Sequence, residues 1–323
     1  MLVLSQSDVA DACSFETLLE VVADGFRAQG RGAVERPERP HFPVGQGRDG
    51  EEPLGTGLAM PAYVHGADYY ATKLASVFPG NESRALPTVQ AQLQLSDAET
   101  GEPVAYMAAS HLTAVRTGCI AGLAARELAV EGPVRLGVVG AGAVARSSTR
   151  AIAAATDLES VSVYSPSASK DAFATELADV AGEVRPVDSA ETAVESATVV
   201  VTATTSETPV FDGEALGAGT LVVALGAYTP EMREIDATTV RKAARIFGDV
   251  PEEVAETGDM RDAGVDASAI IPFGAVLSGE AGRDSASDVL LVDSVGSAVL
   301  DAAAAEHVYE EAAATGVGRE IEL

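Results

Sequence analysis

The chain has 323 residues, 47% of them hydrophobic, which suits about two folded domains and is too apolar for a disordered polypeptide. Its 49 acidic residues face 21 basic ones, a net charge of −28, and this excludes nucleic acid and anionic membrane surfaces as partners, because phosphate binding needs a basic patch. No apolar run reaches the ~20 residues of a membrane span. The start, Met1-Leu2-Val3-Leu4-Ser5-Gln6, lacks a basic region and cleavage site, so a cytoplasmic location is expected.

The acid is dispersed along the chain (Asp8, Asp11, Glu16, Glu20; Glu252, Glu253, Glu256), and only three lysines occur: Lys73, Lys170 and Lys242. Dispersed acid with scarce lysine predicts a surface kept soluble in concentrated salt, where self-repulsion is screened, and hence a halophile's protein. A lysine that survives in such a composition stands out. Cys13 and Cys119 have no metal or disulfide spacing and are expected to be reduced and buried. The four histidines are scattered, and no metal is implied.

In chain order, residues 8–28 carry apolar side chains at helical spacing. A Gly/Pro/Arg-rich connection follows over 30–57, with loops and an edge strand. Strand-like runs at 57–63, 69–77 and 88–96, a turn at 97–102 and a further run at 103–108 predict a meander. An alanine-rich helix is expected over 112–129, ending at Glu131-Gly132-Pro133.

From there strands and helices alternate: 134–139 (strand), 144–155 (helix), 160–164 (strand), 170–181 (helix), 183–186, 190–195, 198–202 and 220–225. Strands without internal polarity alternating with short helices predict a doubly wound parallel sheet. Beyond it come a helix over 236–244, strands over 245–247 and 289–293, and a long helix near 297–314.

Within that alternation, Val138-Val139-Gly140-Ala141-Gly142-Ala143-Val144-Ala145 reads as strand, tight turn and helix. Gly140 permits the turn, Gly142 lets a pyrophosphate approach, and Ala145 keeps the helix close to the sheet. A dinucleotide then rests on the helix N-terminus. The second strand ends Tyr164-Ser165-Pro166-Ser167-Ala168-Ser169-Lys170, without the acidic residue that usually holds an NAD ribose. NADP(H) is therefore favoured, with NAD(H) possible.

Three cations sit among apolar residues: Arg39 in Arg36-Pro37-Glu38-Arg39-Pro40, Lys73 in Tyr70-Ala71-Thr72-Lys73-Leu74, and Arg116 in Leu112-Thr113-Ala114-Val115-Arg116-Thr117. Singly, each would pass for a surface charge. Together with Met60-Pro61-Ala62, Gly140-Ala141-Gly142 and Asp293-Ser294-Val295-Gly296, in this order and spacing, the chain resembles the ornithine cyclodeaminase/mu-crystallin family over nearly its whole length.

The resemblance implies a Rossmann sheet inserted in an α+β domain. Residues 1–117 plus 297–323 would bind substrate and dimerise, and 118–296 would hold NAD(P). It implies a homodimer acting on the C–N bond of a small amino acid, a 2-oxo acid or a cyclic imino acid, as alanine dehydrogenases and ketimine reductases of the family do. Arg39 and Arg116 would clamp a carboxylate, whose planar geometry suits guanidinium forks. Lys73 would touch the same group or carry the proton at the amine or imine, its pKa lowered by the neighbouring cations.

Thr88, Arg116, Thr117, Gly140, Gly142, Ala143, Val144, Ser165, Ser167, Thr204, Ala224, Leu225 and Ser294 fall at expected cofactor positions, and Val295 lies beside the substrate. Ornithine cyclodeaminases carry an aspartate where this chain has Tyr228, in Gly226-Ala227-Tyr228-Thr229-Pro230. A phenol titrating near ~10 is no anionic base at neutral pH, so the difference favours a redox reaction over cyclodeamination. An ornithine cyclodeaminase and a non-catalytic dinucleotide-binding protein stand as the alternatives.

Overall fold

The computed structural model describes residues 1–48, 50–84 and 86–322; Asp49, inside the predicted connection, Ala85 and Leu323 lie outside them. The elements in order are β1 (Leu2–Leu4), α1 (Gln6–Asp11), α2 (Phe15–Gly30), β2 (Val34–Glu35), β3 (His41–Val44), β4 (Gly55–Val64), β5 (Tyr69–Val77), β6 (Val89–Asp97), β7 (Pro103–Ala108) and α3 (Ala109–Leu128). Then follow β8 (Val134–Val139), α4 (Ala143–Ala155), β9 (Leu158–Tyr164), α5 (Ser169–Glu176), β10 (Glu183–Pro186), α6 (Ala190–Val194), β11 (Val199–Thr202) and β12 (Leu221–Ala224). The rest are α7 (Ala237–Lys242), β13 (Ala243–Gly248), α8 (Pro251–Val254), α9 (Gly258–Ala263), β14 (Ile270–Pro272), α10 (Phe273–Leu277), β15 (Val289–Asp293), α11 (Ala298–Thr315) and β16 (Arg319–Glu320).

Two compact units emerge: Met1–Arg116 with Ala298–Leu323, and Thr117–Ser297. In the first, β4 to β7 form an antiparallel meander. Strand β1 runs parallel beside β7, and β16 from the far end of the chain pairs with β1. Side chains alternate across this sheet as the pleat requires. Leu58, Met60, Ala71, Leu93, Leu95, Ala105 and Met107 point inward and are buried. There α11 packs on β4, β5 and α2, whose Leu18, Val22 and Phe26 complete the core.

The second unit is an eight-stranded sheet in the order β10-β9-β8-β11-β12-β15-β13-β14, parallel throughout. Strand order reverses between β8 and β11, the switch point at which such sheets leave a crevice for ligands. The strands β11, β12 and β15 are buried at every position, which is why they read as unbroken apolar runs.

Several expectations needed revision. The predicted helix over 8–28 is two helices. Ser5 caps the first, accepting from Asp8 N while Asp8 accepts from Ser5 N, and the chain restarts at an extended Ser14. The helix predicted over 170–181 ends at Glu176, with Leu177 leaving helical geometry. Cys119 is buried but Cys13 is only half-buried, and neither forms a disulfide. Among the described residues, no helix is long and apolar enough to cross a membrane.

Candidate functional site

Lys73 is the fifth of nine residues in β5, on the inward face between a half-buried Thr72 and an exposed Leu74, and it is 3% exposed. The same alternation that buries Ala71 therefore buries an ammonium group, which needs a partner. Asp301, on the inner side of α11 and 1% exposed, provides it: Lys73 Nζ donates to Asp301 Oδ2 at 2.5 Å. The other carboxylate oxygen accepts from Arg116 Nε at 2.9 Å. Arg116, at 4% exposure near the start of α3, keeps one further donor, Nη1, buried without a protein partner. A buried guanidinium nitrogen left unmatched fits an incoming carboxylate.

Burial is the main cause that lowers the Lys73 pKa to about 8. Asp301 opposes it, and the charges of Arg116 and Arg39 push further down. The sequence reading credited the cations alone; desolvation is the larger cause. Burial also acts to raise Asp301, but the attraction of Arg116 and Lys73, with their hydrogen bonds, outweighs it and holds the carboxyl below its ordinary range. Arg39 is half-buried in the stretch before β3 and close enough to act on Lys73 electrostatically. Three cations around one carboxylate leave an excess of positive charge, which suits an anionic group of a ligand.

Asp301 escaped the sequence reading. It is the single charged residue in Ala298-Val299-Leu300-Asp301-Ala302-Ala303-Ala304-Ala305, and a lone carboxylate in so apolar a helix was the available signal.

In the second unit the turn after β8 has the geometry its glycines require. Gly140 sits at φ +106°, and a Cβ there would lie 2.4 Å from the Ala203 carbonyl oxygen. Gly142 is the N-cap of the 13-residue α4, and a Cβ on it would meet nothing within 4 Å. Gly142 and Ala143 are exposed, Val144 is half-buried and Ala145 is buried against the sheet. The first-turn N–H groups have no intrahelical acceptor, so this helix end is open and polarised for a phosphate. Arg146 ties α4 to α5 through Glu176 (Nε to Oε2, 2.8 Å).

Ser165 follows β9, and its Oγ lies 3.0 Å from that of Ser169, which in turn lies 2.7 Å from that of Ser167. Lys170, the lysine nearest these hydroxyls in the sequence, donates to the Val187 carbonyl at 2.7 Å and covers the Tyr164 ring. Thr204, Ala224, Leu225 and Ser294 follow or end β11, β12 and β15, so with Gly140–Val144 and Ser165 they share one end of the sheet. Val295 is buried beside Ser294, while Tyr228 is half-buried and packs on the unit's hydrophobic cluster. Thr117 is buried in α3, and Thr88 belongs to the first unit, where its carbonyl accepts from Phe78 N.

A parallel doubly wound sheet with a glycine turn at its switch point, in a chain whose other, mainly antiparallel unit buries a lysine–aspartate–arginine cluster, defines a two-unit protein of the Rossmann class. The chain belongs to the ornithine cyclodeaminase/mu-crystallin family, whose model matches residues 1–316. It is 34% identical to the Delta(1)-pyrroline-2-carboxylate reductase of Bacillus cereus over 83% of this chain and 85% of that one. Among solved structures it is similar to Thermococcus litoralis Delta(1)-pyrroline-2-carboxylate reductase in complex with NADH and L-proline. That match has a TM-score of 0.93 and 32% identity over 99% of this chain and 100% of the other. An archaeal alanine dehydrogenase dimer with bound NAD matches with a TM-score of 0.91 and 29% identity, over 100% and 99% of the two chains.

Proposed function

We propose that the protein is an NAD(P)-dependent oxidoreductase that reduces the C=N bond of a small α-imino acid, most suitably a cyclic one such as pyrroline-2-carboxylate, to the α-amino acid. The observation that carries this reading is the buried Lys73–Asp301–Arg116 cluster, with a protonated amine beside an unmatched guanidinium donor. Arg116 and Arg39 hold the substrate carboxylate. Lys73 gives its proton to the substrate nitrogen. Val295 and Tyr228 line the non-polar side. A nicotinamide dinucleotide, when bound, supplies the hydride.

Gly140, Gly142, Ala143 and Val144 take the pyrophosphate, Ser165 and Ser167 the ribose, and Thr88, Thr117, Thr204, Ala224, Leu225 and Ser294 the remainder. NADPH is preferred and NADH accepted, because no carboxylate follows β9 to repel a 2′-phosphate. Lys170 already has a partner, which keeps the preference small.

The relatives named for pyrroline-carboxylate reduction and alanine dehydrogenation support the reaction class. The tyrosine at position 228 supports reduction over cyclodeamination. The dimeric neighbour supports a homodimer, and two cysteines outside any disulfide suit a reducing compartment. The net charge of −28 supports function in concentrated salt.

The test is cofactor absorbance in molar KCl with pyrroline-2-carboxylate, with pyruvate plus ammonia, and with ornithine. Net cofactor oxidation with the first is expected. Proline formed from ornithine without net cofactor change would replace the reading with cyclodeamination, and binding without turnover would leave a binding protein. Lys73→Met should lower kcat by about 10²–10⁴-fold with dinucleotide affinity unchanged; full turnover in that variant refutes the role of Lys73.

A further inference from the structure

Two sealed carboxylates of the second unit have no part in the roles above. Asp249, directly after β13, is 2% exposed, and Glu234 is fully buried between β12 and α7. Both accept from strand ends and the loops that follow them. Asp249 Oδ2 accepts from Ser294 Oγ at 2.6 Å and from Gly296 N at 2.7 Å, and its Oδ1 accepts from Val295 N at 3.2 Å. Glu234 Oε1 accepts from Thr204 N at 2.6 Å, and its Oε2 from Gly226 N at 2.7 Å and Thr202 Oγ1 at 2.9 Å.

The pattern has a direction. The loops leaving β11, β12 and β15 are each fastened by a charged acceptor, at the sheet end that carries the glycine turn. Burying a carboxylate costs stability unless its donors recover the loss, and a neutral carbonyl would satisfy one N–H more cheaply. What a carboxylate adds is two oxygens that gather several donors at once, with stronger bonds. Gly296 shows the need: at φ +85° its backbone lies outside the conformations an unaided chain prefers.

We infer that Asp249 and Glu234 are positioning residues for the dinucleotide. They do not touch it; they hold Ser294, Val295, Thr204 and Gly226 in the arrangement that receives it. The inference rests on the reading of the second unit as a dinucleotide site.

Titration of NADPH and NADH fluorescence against the whole protein tests it, well below the unfolding temperature. Asp249→Asn and Glu234→Gln keep size and remove charge; each should raise Kd about tenfold or more. Val240→Ala, a cavity in α7 of the same unit that removes no donor to either carboxylate, serves as the control: comparable loss of Tm, with Kd unchanged within about twofold. Should one carboxamide variant fail to fold, the other carries the comparison. Wild-type affinity in a folded carboxamide variant overturns the inference alone, as does an equal loss of affinity in Val240→Ala. Failure of the unaltered protein to bind either nucleotide overturns the dinucleotide reading and this inference together.

Discussion

An ammonium group on the inward face of a strand has little water to hold its charge, so its neighbours decide when it is protonated. For Lys73 that point lies at about 8, against 10.5 for an ordinary lysine. Imine reduction consumes the proton, so kcat/KM should fall about tenfold per pH unit above the inflection, and amine oxidation should rise through the same value. Asp301→Asn removes the neighbour that raises the Lys73 pKa, so the inflection should move below 8. The same change leaves two buried cations without their anion and should cost about 3–5 kcal/mol of stability. A pH profile unmoved in Asp301→Asn would exclude Lys73 as the titrating group. Lys73 was conspicuous in the sequence as one of three lysines. Asp301 was not, because its partners lie 228 and 185 residues away and no local pattern joins them.

At the scale of elements, what repeats was legible and what merely pairs was not. The central parallel strands β11 and β12 of the second unit are almost wholly apolar and the meander of the first alternates, so both show their pattern over four to ten residues. The three-residue β1 and the two-residue β16 have no period to show, and they exist because they pair with each other across the chain's whole length. The break at Ala12–Ser14 was hidden because α1 and α2 bury residues at compatible spacing.

The turn after β8 allows a paired test of why its two glycines are there. Gly142→Val fills open space before α4, so Tm should hold while dinucleotide affinity falls about tenfold or more. Gly140→Ala meets the Ala203 carbonyl and a left-handed backbone, so it should lose about 1–3 kcal/mol of stability as well. Equal unfolding temperatures for the two variants would contradict this assignment.

Seen as a whole, the molecule carries a large acidic surplus, yet the outer face of strands β4 to β7 has none of it. Ala59, Pro61 and Tyr63 on β4, Tyr70, Thr72 and Leu74 on β5, Gln92 and Gln94 on β6 and Tyr106 on β7 share that side, all uncharged. Leu74 is 43% exposed and Tyr106 39%. An uncharged, part-apolar sheet face on so acidic a chain suits the homodimer proposed above. Leu74→Glu should halve the mass measured by light scattering in molar KCl; an unchanged dimer would place the interface elsewhere.

The first unit is closed by the last helix, and this bears on how the protein is made. Synthesis proceeds at ~5–20 residues per second, so Lys73 precedes its carboxylate partner by about 10–45 s. During that interval Thr117–Ser297 is itself being made and is complete only just before Asp301 emerges, while the inner face of β4 and β5 waits for α11. The first unit is thus unfinished until α11 is made, and until then an apolar sheet face and two unneutralised cations stay open to any chaperone that reaches them.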